Sequence, residues 1–329
     1  MSAPFFSVMM PTRGRAAMLR SAFKSLQWQT FGDFEVIAMD DGSTDDTPKV
    51  FEEFAADERF RFHRFPPTGV AKCRNFALGV ARGRWIDFLD DDDLWLPTRL
   101  QKFKEAADAK PSYGFWYSNA YVWRFDRIVG RFFDPARPIP EGKVPGWYAI
   151  GEDRLPYVTT NMSIRADAVA AVGKFHEDSP ILADTDMVVR VLAAGYETGV
   201  IREPLAVRRL HDAQVTRDHA KAFQESAVPL ASAKLPPAEE AALRRRYAHD
   251  AARYLIKGLE PEKARAFLAS APIPRDAAYW GLYAAALTPR PVLAGLRAAR
   301  AAFLRKGPVA LPARSLEFAA VEELVRPLM

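Results

Sequence analysis

Four consecutive aspartates, Asp90 to Asp93, form the longest run of like charges in the sequence. They follow the apolar run RWIDFL (84–89), which is typical of a buried strand. Carboxylates this close together raise one another's pKa unless a cation neutralises them. Hard oxygen ligands suit Mg²⁺ or Mn²⁺, and Mg²⁺ usually completes its shell with substrate phosphates and water. The run therefore predicts a divalent-metal site; a solvated acidic turn before a helix is the alternative.

A second acidic pair, Asp40 and Asp41, ends another strand-like run at residues 34–39. In open α/β sheets, ligands bind outside the carboxyl ends of the parallel strands. We therefore expect the pair and the four aspartates to lie along one edge of the sheet. The pair does not match the phosphatase signature that needs an aspartate two residues before Asp-Gly, because Met39 occupies that position.

The elements that would position these residues alternate between strands and helices over about two-thirds of the chain, which predicts an α/β fold. Residues 121–157 are rich in Pro, Gly and aromatic residues and predict a long loop region that carries a hairpin. After about residue 225, the sequence predicts four or five amphipathic helices separated by prolines. The predicted strands cover residues 5–10, 34–39, 59–65, 84–89, 113–118 and 158–164. The predicted helices cover residues 16–28, 70–82, 166–172 and 184–194, and two more begin at Thr47 and Pro97.

Composition excludes several classes of protein. The chain has 329 residues, of which 49% are hydrophobic and 26% charged, so it can bury a core. Its apolar runs are too short to span a bilayer, and its N-terminus does not resemble a secretory leader. The single cysteine, Cys73, excludes an internal disulfide and suits a reducing cytoplasm. A net charge of +5 does not require a nucleic-acid partner.

Three common catalytic signatures are missing from the sequence. No G-x-G-x-x-G follows a predicted strand, and no G-x-x-x-x-G-K-[ST] occurs. Dinucleotide-dependent hydride transfer and P-loop ATP hydrolysis therefore lack support. No G-x-S-x-G occurs either, so a serine hydrolase is unsupported.

Three stretches carry a family resemblance: SVMMPTRGR (7–15), QTFGDFEVIAMDDGSTDDT (29–47) and KCRNFALGVARGRWIDFLDDDDLW (72–95). Their order and spacing closely resemble the nucleotide-sugar domain of family 2 glycosyltransferases, which have the GT-A fold. The family pattern runs P-T-x-x-R, Q-T-x-x-x-x-E, D-D-G-S-x-D-x-T, A-R-N-x-G and L-D-x-D-D. The match covers roughly residues 5–215. It implies a Rossmann-like mixed sheet flanked by helices, with an additional C-terminal α-helical region.

The resemblance implies a nucleotide pocket at the first two strand ends. Pro11, Thr12 and Arg13 would line this pocket. Asp41 would accept a hydrogen bond from the base, which is usually uracil in relatives, and Asp40 would help to shape the same loop.

The next two motifs would bind the rest of the donor. Arg74 and Asn75 would face the nucleotide or the pyrophosphate. Asp90 would bond the ribose, and Asp91 fills the variable position of its motif beside the nucleotide-sugar. We expect Asp93 to cap the following helix.

The metal and the catalytic base come from residues further apart. Asp92 would bind Mn²⁺ or Mg²⁺, and His211 would reach the metal or the pyrophosphate; a structural histidine is the alternative. Relatives take the base from a Glu-Asp pair that opens a helix. Here Asp184 keeps the base position, whereas Ala183 replaces the glutamate. The pair in Gly151-Glu152-Asp153 is a second candidate for the base.

The implied enzyme is a metal-dependent inverting glycosyltransferase. It would move a sugar from a nucleotide-diphosphate sugar, usually a UDP-sugar, to a hydroxyl of a glycan or lipid-linked acceptor in cell-surface polysaccharide biosynthesis. A degenerate nucleotide-sugar binding protein and a sugar nucleotidyltransferase are the alternatives. We expect a GT-A catalytic domain at 1–225, with a nucleotide-sugar half at 1–118 and an acceptor half at 119–225, and a helical region at 226–329.

The helices of the C-terminal region mix apolar residues with Arg and Lys. This pattern permits peripheral contact with the inner face of the membrane, where lipid-linked acceptors would be found. A helical subdomain that packs on the catalytic domain is the alternative. We expect a cytoplasmic protein in either case.

Overall fold

The computed structural model describes residues 3–150, 154–179, 181–211, 219–296, 298 and 316–329. Over these residues, nine strands form one mixed sheet flanked by helices. The strands are β1 (Phe6–Thr12), β2 (Phe34–Asp41), β3 (Phe60–Phe65), β4 (Trp85–Phe88), β5 (Leu94–Trp95), β6 (Tyr113–Arg124), β7 (Arg127–Arg131), β8 (Met162–Arg165) and β9 (Glu197–Arg209).

Helices cover both faces of the sheet and continue beyond it. Residues 290–296 are also helical. The helices are α1 (Ala16–Gln27), α2 (Thr47–Phe54), α3 (Val70–Val80), α4 (Arg99–Ala109), α5 (Ala166–Val172), α6 (Ala183–Ala193), α7 (His219–Glu225), α8 (Ala227–Ala233), α9 (Pro237–Lys257), α10 (Pro261–Ser270), α11 (Ala277–Ala286) and α12 (Leu316–Val325).

The sheet order is β3-β2-β1-β4-β8-β6-β9-β5, and β7 pairs with β6. Strands β1, β2, β3 and β4 are parallel, whereas β8 runs antiparallel to both β4 and β6. Because β1, β2 and β4 are parallel neighbours, their carboxyl ends share one edge of the sheet. This confirms that the two acidic clusters lie on the same side of the fold.

The N-terminal strands and helices agree with the predicted ranges to within about three residues, but the middle of the chain differs. Strand β6 extends to Arg124 and turns through a hairpin into β7. The two-residue strand β5 was not expected, since Leu94 and Trp95 follow the acidic run directly. Its pairing with Val207 and Ala206 of β9 brings the end of β9 beside the four aspartates.

Apolar side chains fill both faces of the sheet. Under α1 and α2, the ring of Phe23 contacts Phe54 and Phe60 at centroid distances of 5.1 Å each. On the other face, α3, α5 and α6 cover a larger core that includes Met187 and Val188, both fully buried. Burial of this kind contributes about 25 cal/mol per Å² of apolar surface, so these two cores fix the sheet edge that carries the acidic residues.

The residues after 225 pack against two different parts of the molecule. Helices α8 and α9 add Leu230 and Leu243 to the core beneath α6. Helix α12 instead lies at the far end of the sheet, where Val325 and Leu328 contact a cluster that includes Val207. The boundary at residue 225 stays a prediction. No helix in the described ranges is long and apolar enough to cross a membrane.

Candidate active site

The four aspartates form a tight turn between β4 and β5. One carboxylate oxygen from each of Asp90, Asp92 and Asp93 can be chosen so that all three lie within 4.8 Å of one another. The Nε2 atom of His211 lies 2.8 Å from Oδ2 of Asp92. Three carboxylates and an imidazole are a donor set that suits Mn²⁺ and accommodates Mg²⁺ through the oxygens. The residues present therefore fit a divalent cation.

The electrostatics of this turn also favour a cation. The pKa of Asp90 is raised to about 7: burial is the largest cause, the charge of Arg74 opposes it, and the negative charges of Asp92, Asp184 and Asp91 add to it. Burial likewise raises the pKa of Asp91. An array in which carboxylates resist ionisation gains the most when a positive charge arrives.

Asp93 does not cap the next helix, contrary to our expectation. Its Oδ1 accepts a hydrogen bond from the backbone N–H of Arg209 at 2.8 Å, and α4 begins only at Arg99. Burial and the neighbouring Asp92 and Asp90 hold its pKa well above the usual value. Asp93 therefore ties the turn to the end of β9.

Arg209 fixes the other side of the turn. Its guanidinium donates to the backbone carbonyls of Asp92 and Asp91, and also to the carbonyl of Met18 at 3.1 Å. The side chain is buried, with 7% of the residue exposed. The end of β9 thus delivers both His211 and Arg209 to the acidic turn.

Thr12 and Arg15, at and after the end of β1, hold the carboxylate of Asp91. The Thr12 hydroxyl donates to Oδ2 at 2.7 Å, and Arg15 donates to Oδ1 at 2.8 Å. Arg15 also contacts Oδ2 of Asp92 at 3.1 Å. Pro11 lies one residue earlier in β1, paired with Met39 of β2. The carboxylate of Asp91 is thereby linked to β1 and to Arg15, which directly precedes α1, and it is not one of the three metal-capable carboxylates.

The second acidic pair shapes a loop beside β1. Asp41 accepts hydrogen bonds from the backbone N–H groups of Thr68 and Gly69, at 2.6 and 3.0 Å. Asp40 accepts from the Ser43 N–H at 2.8 Å. Arg13 is largely exposed and lies 3.9 Å from Asp41.

A glycine closes this loop tightly. Gly42 has φ of +76°, and a Cβ placed there would lie 2.6 Å from the ring of Pro67. Any larger residue would therefore push the two acidic residues and the start of α3 apart.

Helix α3 carries the remaining donor-side residues. Arg74 donates to Oδ1 of Asp90 at 3.2 Å and is buried. Asn75 points to the acceptor half, because it exchanges two hydrogen bonds with the backbone of Phe175, at 2.8 and 3.0 Å. Cys73 directly precedes Arg74 in α3; it is 1% exposed, and its Sγ lies 3.9 Å from the Thr68 hydroxyl. Burial raises the pKa of its thiol to about 11.

Asp184 lies in the first turn of α6, on the acceptor side. It accepts a hydrogen bond from the Thr159 hydroxyl at 2.8 Å. Thr160, which follows Thr159, accepts a hydrogen bond through its backbone carbonyl from the indole N–H of Trp95 at 2.8 Å. Trp95 lies two residues after Asp93, the last residue of the acidic turn. The negative charge of Asp184 also contributes to the raised pKa values of Asp90 and Tyr157. The competing pair, Glu152 and Asp153, lies outside the described residues.

Ten of the twelve predicted residues lie at or directly beside this edge: Thr12, Arg13, Asp40, Asp41, Arg74, Asp90, Asp91, Asp92, Asp184 and His211. Pro11 contributes backbone, and Asn75 braces the acceptor half. Sequence reasoning missed Arg15 and Arg209. Both had a signal, because Arg15 is the arginine of P-T-x-x-R and Arg209 stands two residues before His211.

Comparison with known proteins gives a family for the part of the chain that carries the aspartate turn. A model of glycosyl transferase family 2 matches residues 7–169. A PGL/p-HBAD biosynthesis glycosyltransferase of Mycobacterium bovis (strain BCG / Pasteur 1173P2) is 41% identical over 95 residues, which is 28% of this chain and 37% of that protein. An Escherichia coli UDP-Glc:alpha-D-GlcNAc-diphosphoundecaprenol beta-1,3-glucosyltransferase, WfgD, is 30% identical over 131 residues, which is 40% of this chain and 51% of WfgD.

A solved structure supports the same fold. The mannosyltransferase PcManGT from Pyrobaculum calidifontis, solved with GDP-Man and Mn²⁺, aligns with a TM-score of 0.53 at 20% identity over 100% of this chain and 86% of that one. The chain spans about a third to a half of the length of the two curated relatives. The ordered motifs, the mixed sheet and the family match agree: residues 7–169 of the chain belong to glycosyl transferase family 2, with a GT-A fold.

Proposed function

We propose that the chain is a metal-dependent inverting glycosyltransferase that uses a nucleotide-diphosphate sugar. The observation that carries this proposal is the convergence of Asp184 with the aspartate turn. The two lie about 90 residues apart in the sequence, yet Asp184 contributes to the raised pKa of Asp90 and connects through Thr159 and Thr160 to Trp95. This convergence supports a role for Asp184 as the base that acts beside the metal-capable cluster.

The chain's own residues have distinct tasks in this reaction. Asp184 accepts the proton of the acceptor hydroxyl as that oxygen attacks the anomeric carbon. Arg74 and Arg15 provide positive charge next to the aspartate turn, where the diphosphate leaves. A divalent cation bound by Asp92 and His211, with Asp90 within reach, would neutralise charge on the diphosphate.

We propose UDP as the nucleotide. Asp41 accepts hydrogen bonds from the loop that precedes α3, which fixes its carboxylate at the end of β2. A fixed acceptor at this position suits a base that offers an N–H group, as uracil does. The UDP-Glc specificity in the name of the E. coli relative points in the same direction.

A donor assay tests the proposal. We expect nucleotide release from a UDP-sugar that requires Mn²⁺ or Mg²⁺, and we expect Asp184→Asn to lower kcat at least about 100-fold while Mn²⁺-dependent UDP binding persists. Asp178→Asn, which changes an exposed carboxylate, is the matched control. Binding without turnover in the wild type would favour a degenerate binding protein, and pyrophosphate release would favour a nucleotidyltransferase. Turnover unaffected by Asp184→Asn would remove this residue from its role.

We further propose that the acceptor is lipid-linked and that α9 and α11 contact the cytoplasmic face of a membrane. Residues 277–289 contain no charged side chain, yet Trp280 and Leu287 are 51% and 59% exposed. The basic residues Lys257 and Arg275 lie beside this surface, over the rings of Tyr254 and Tyr279. Exposed aromatic and apolar groups with a basic rim are typical of a surface that binds anionic lipid.

Vesicle flotation tests this contact. The full chain should float with vesicles of phosphatidylglycerol and phosphatidylcholine, and Trp280→Glu should reduce the bound fraction several-fold, because it places a charge on the apolar surface. Phe125→Glu changes an even more exposed aromatic residue (73%) at the β6–β7 hairpin and should have no effect. Equal flotation of both variants and the wild type would contradict the assignment.

A further inference from the structure

A buried carboxylate from outside the sequence motif stands at the start of α6. Glu225, the last residue of α7, is 6% exposed. Its Oε2 accepts hydrogen bonds from the backbone N–H of Ile181 at 2.7 Å and of Leu182 at 3.3 Å, and from the Ser179 hydroxyl at 3.3 Å. One carboxylate oxygen therefore gathers three donors from the segment that leads into α6.

The N-cap residue of α6 makes no side-chain cap. Leu182 is the residue before α6 and offers no side-chain acceptor, and the methyl group of Ala183 is fully buried in the core. The first N–H groups of a helix need acceptors from elsewhere, and a negative charge near a helix N-terminus is stabilising. Glu225 supplies an acceptor for the N–H of the N-cap residue, Leu182, and a negative charge near this helix start. It does so from a helix that begins 36 residues after Ala183.

A second bond ties α6 to the same C-terminal helices. Asp186 is fully buried and accepts from the hydroxyl of Ser232 in α8 at 2.7 Å and from Arg190 at 2.8 Å. Asp184 lies between the two anchored points: Glu225 is bonded to Ile181 and Leu182 before it, and Ser232 is bonded to Asp186, two residues after it. The position of Asp184 is thus set by helices that follow β9.

We propose that Glu225 is a positioning residue for Asp184 and that it supplies in space the carboxylate which the Glu-Asp motif lacks at Ala183. The inference rests on the proposed role of Asp184 as the base. In this role Glu225 acts through the backbone that presents the base, by its bonds to Ile181 and Leu182. A misplacement of about 1 Å at a reacting group can cost about 100-fold in rate.

The experiment compares three variants of the full chain: Glu225→Ala, Glu225→Asp and Glu225→Gln. Glutamine keeps an acceptor oxygen at the same reach, whereas aspartate retracts it by one methylene. We expect kcat to fall at least about tenfold for Ala and Asp and to stay within about threefold of the wild type for Gln. The affinity for UDP with Mn²⁺ should stay within about twofold in all three. Glu239→Ala, at an exposed position in α9, is the matched control.

Hydrogen–deuterium exchange gives a readout that does not depend on turnover. The Ile181 and Leu182 amides should exchange faster in Glu225→Ala than in the wild type, while peptides from β1 and β2 stay unchanged. Unchanged exchange, or a kcat for Ala within twofold of the wild type, would overturn the inference. A wild type that shows no turnover would refute the proposed function instead. The exchange result would still show whether Glu225 protects the Ile181 and Leu182 amides. Should Glu225→Ala not fold, Glu225→Asp carries the same comparison.

Discussion

Asp90 differs from its three neighbours in exposure. About a third of its side chain is open to solvent (34%), compared with 4% for Asp91 and 10% for Asp92. It faces Arg74 on one side and two other carboxylates on the other. A group that is accessible and has a pKa near 7 is available to bind either a proton or a ligand under ordinary conditions.

This competition predicts a pH-dependent metal affinity. Because metal ligands must be deprotonated, a pKa raised to about 7 means that Asp90 is mostly protonated at pH 6 and mostly ionised at pH 8. We expect Mn²⁺ affinity to rise roughly tenfold over this range, with proton release on binding. Calorimetry in two buffers of different ionisation enthalpy measures both quantities. Asp90→Asn should flatten the dependence, and equal wild-type affinities at pH 6 and pH 8 would contradict it.

At the scale of elements, the opposite edge of the sheet is held by one buried carboxylate. Glu35 in β2 accepts hydrogen bonds from the hydroxyl of Ser7 in β1 at 2.7 Å, from Arg61 in β3 at 3.0 Å, and from the Arg82 side chain at 2.7 and 2.9 Å. Next to it, a Cβ on Gly83 would lie 2.4 Å from the Ser7 backbone nitrogen. Three strands and the chain after α3 therefore meet at a single side chain.

This network predicts a specific acid sensitivity. Burial alone would raise the pKa of Glu35, but hydrogen bonds from Arg82, Ser7 and Arg61 lower it on balance. A lowered folded-state pKa stabilises the protein above the unfolded-state value of about 4.3 and loses that contribution as pH falls below it. Glu35→Gln should cost about 2 kcal/mol at pH 7 and less near pH 3. Urea unfolding at both values measures this, and an equal cost at both would contradict it.

The sequence predicted the first half of the site better than the second, for a physical reason. Thr12, Asp41 and Asp90 each follow a local strand signal, and parallel neighbours bring such ends together. His211 and Arg209 reach the aspartate turn only because β9 pairs with the two-residue β5, which has no periodicity to detect. Glu225 depends on helix packing alone, so no local pattern connects it with Asp184.

At the scale of the whole molecule, the last residues of the chain return to the first half. Leu328 is 6% exposed and contacts the cluster at the end of β9, and its carbonyl accepts from the Ser21 hydroxyl of α1. Glu322 of α12 is buried and accepts the Ile128 N–H of β7 at 2.8 Å. The terminal segment thus joins α1, β7 and β9, the last of which carries Arg209.

This arrangement predicts that a change near the end of the chain weakens the nucleotide-sugar half. Leu328→Ala should lower the free energy of unfolding by about 2 kcal/mol, because it leaves a cavity in a packed cluster. Leu316→Ala removes the same atoms at a position that is 90% exposed and should have no effect. Chemical denaturation compares the two variants, and equal stabilities would show that the terminal segment does not support the sheet.

Cys73 gives the chain a natural reporter. It is the only thiol in the sequence, it lies between the loop of Asp41 and Arg74, and its high pKa and burial keep it unreactive while α3 stays in place. Alkylation must therefore wait for a transient opening of this part of the molecule. The alkylation rate of Cys73 therefore reports how often this part of the molecule opens, and mass spectrometry measures it without an introduced probe. A bound nucleotide that holds the loop in place would lower this rate.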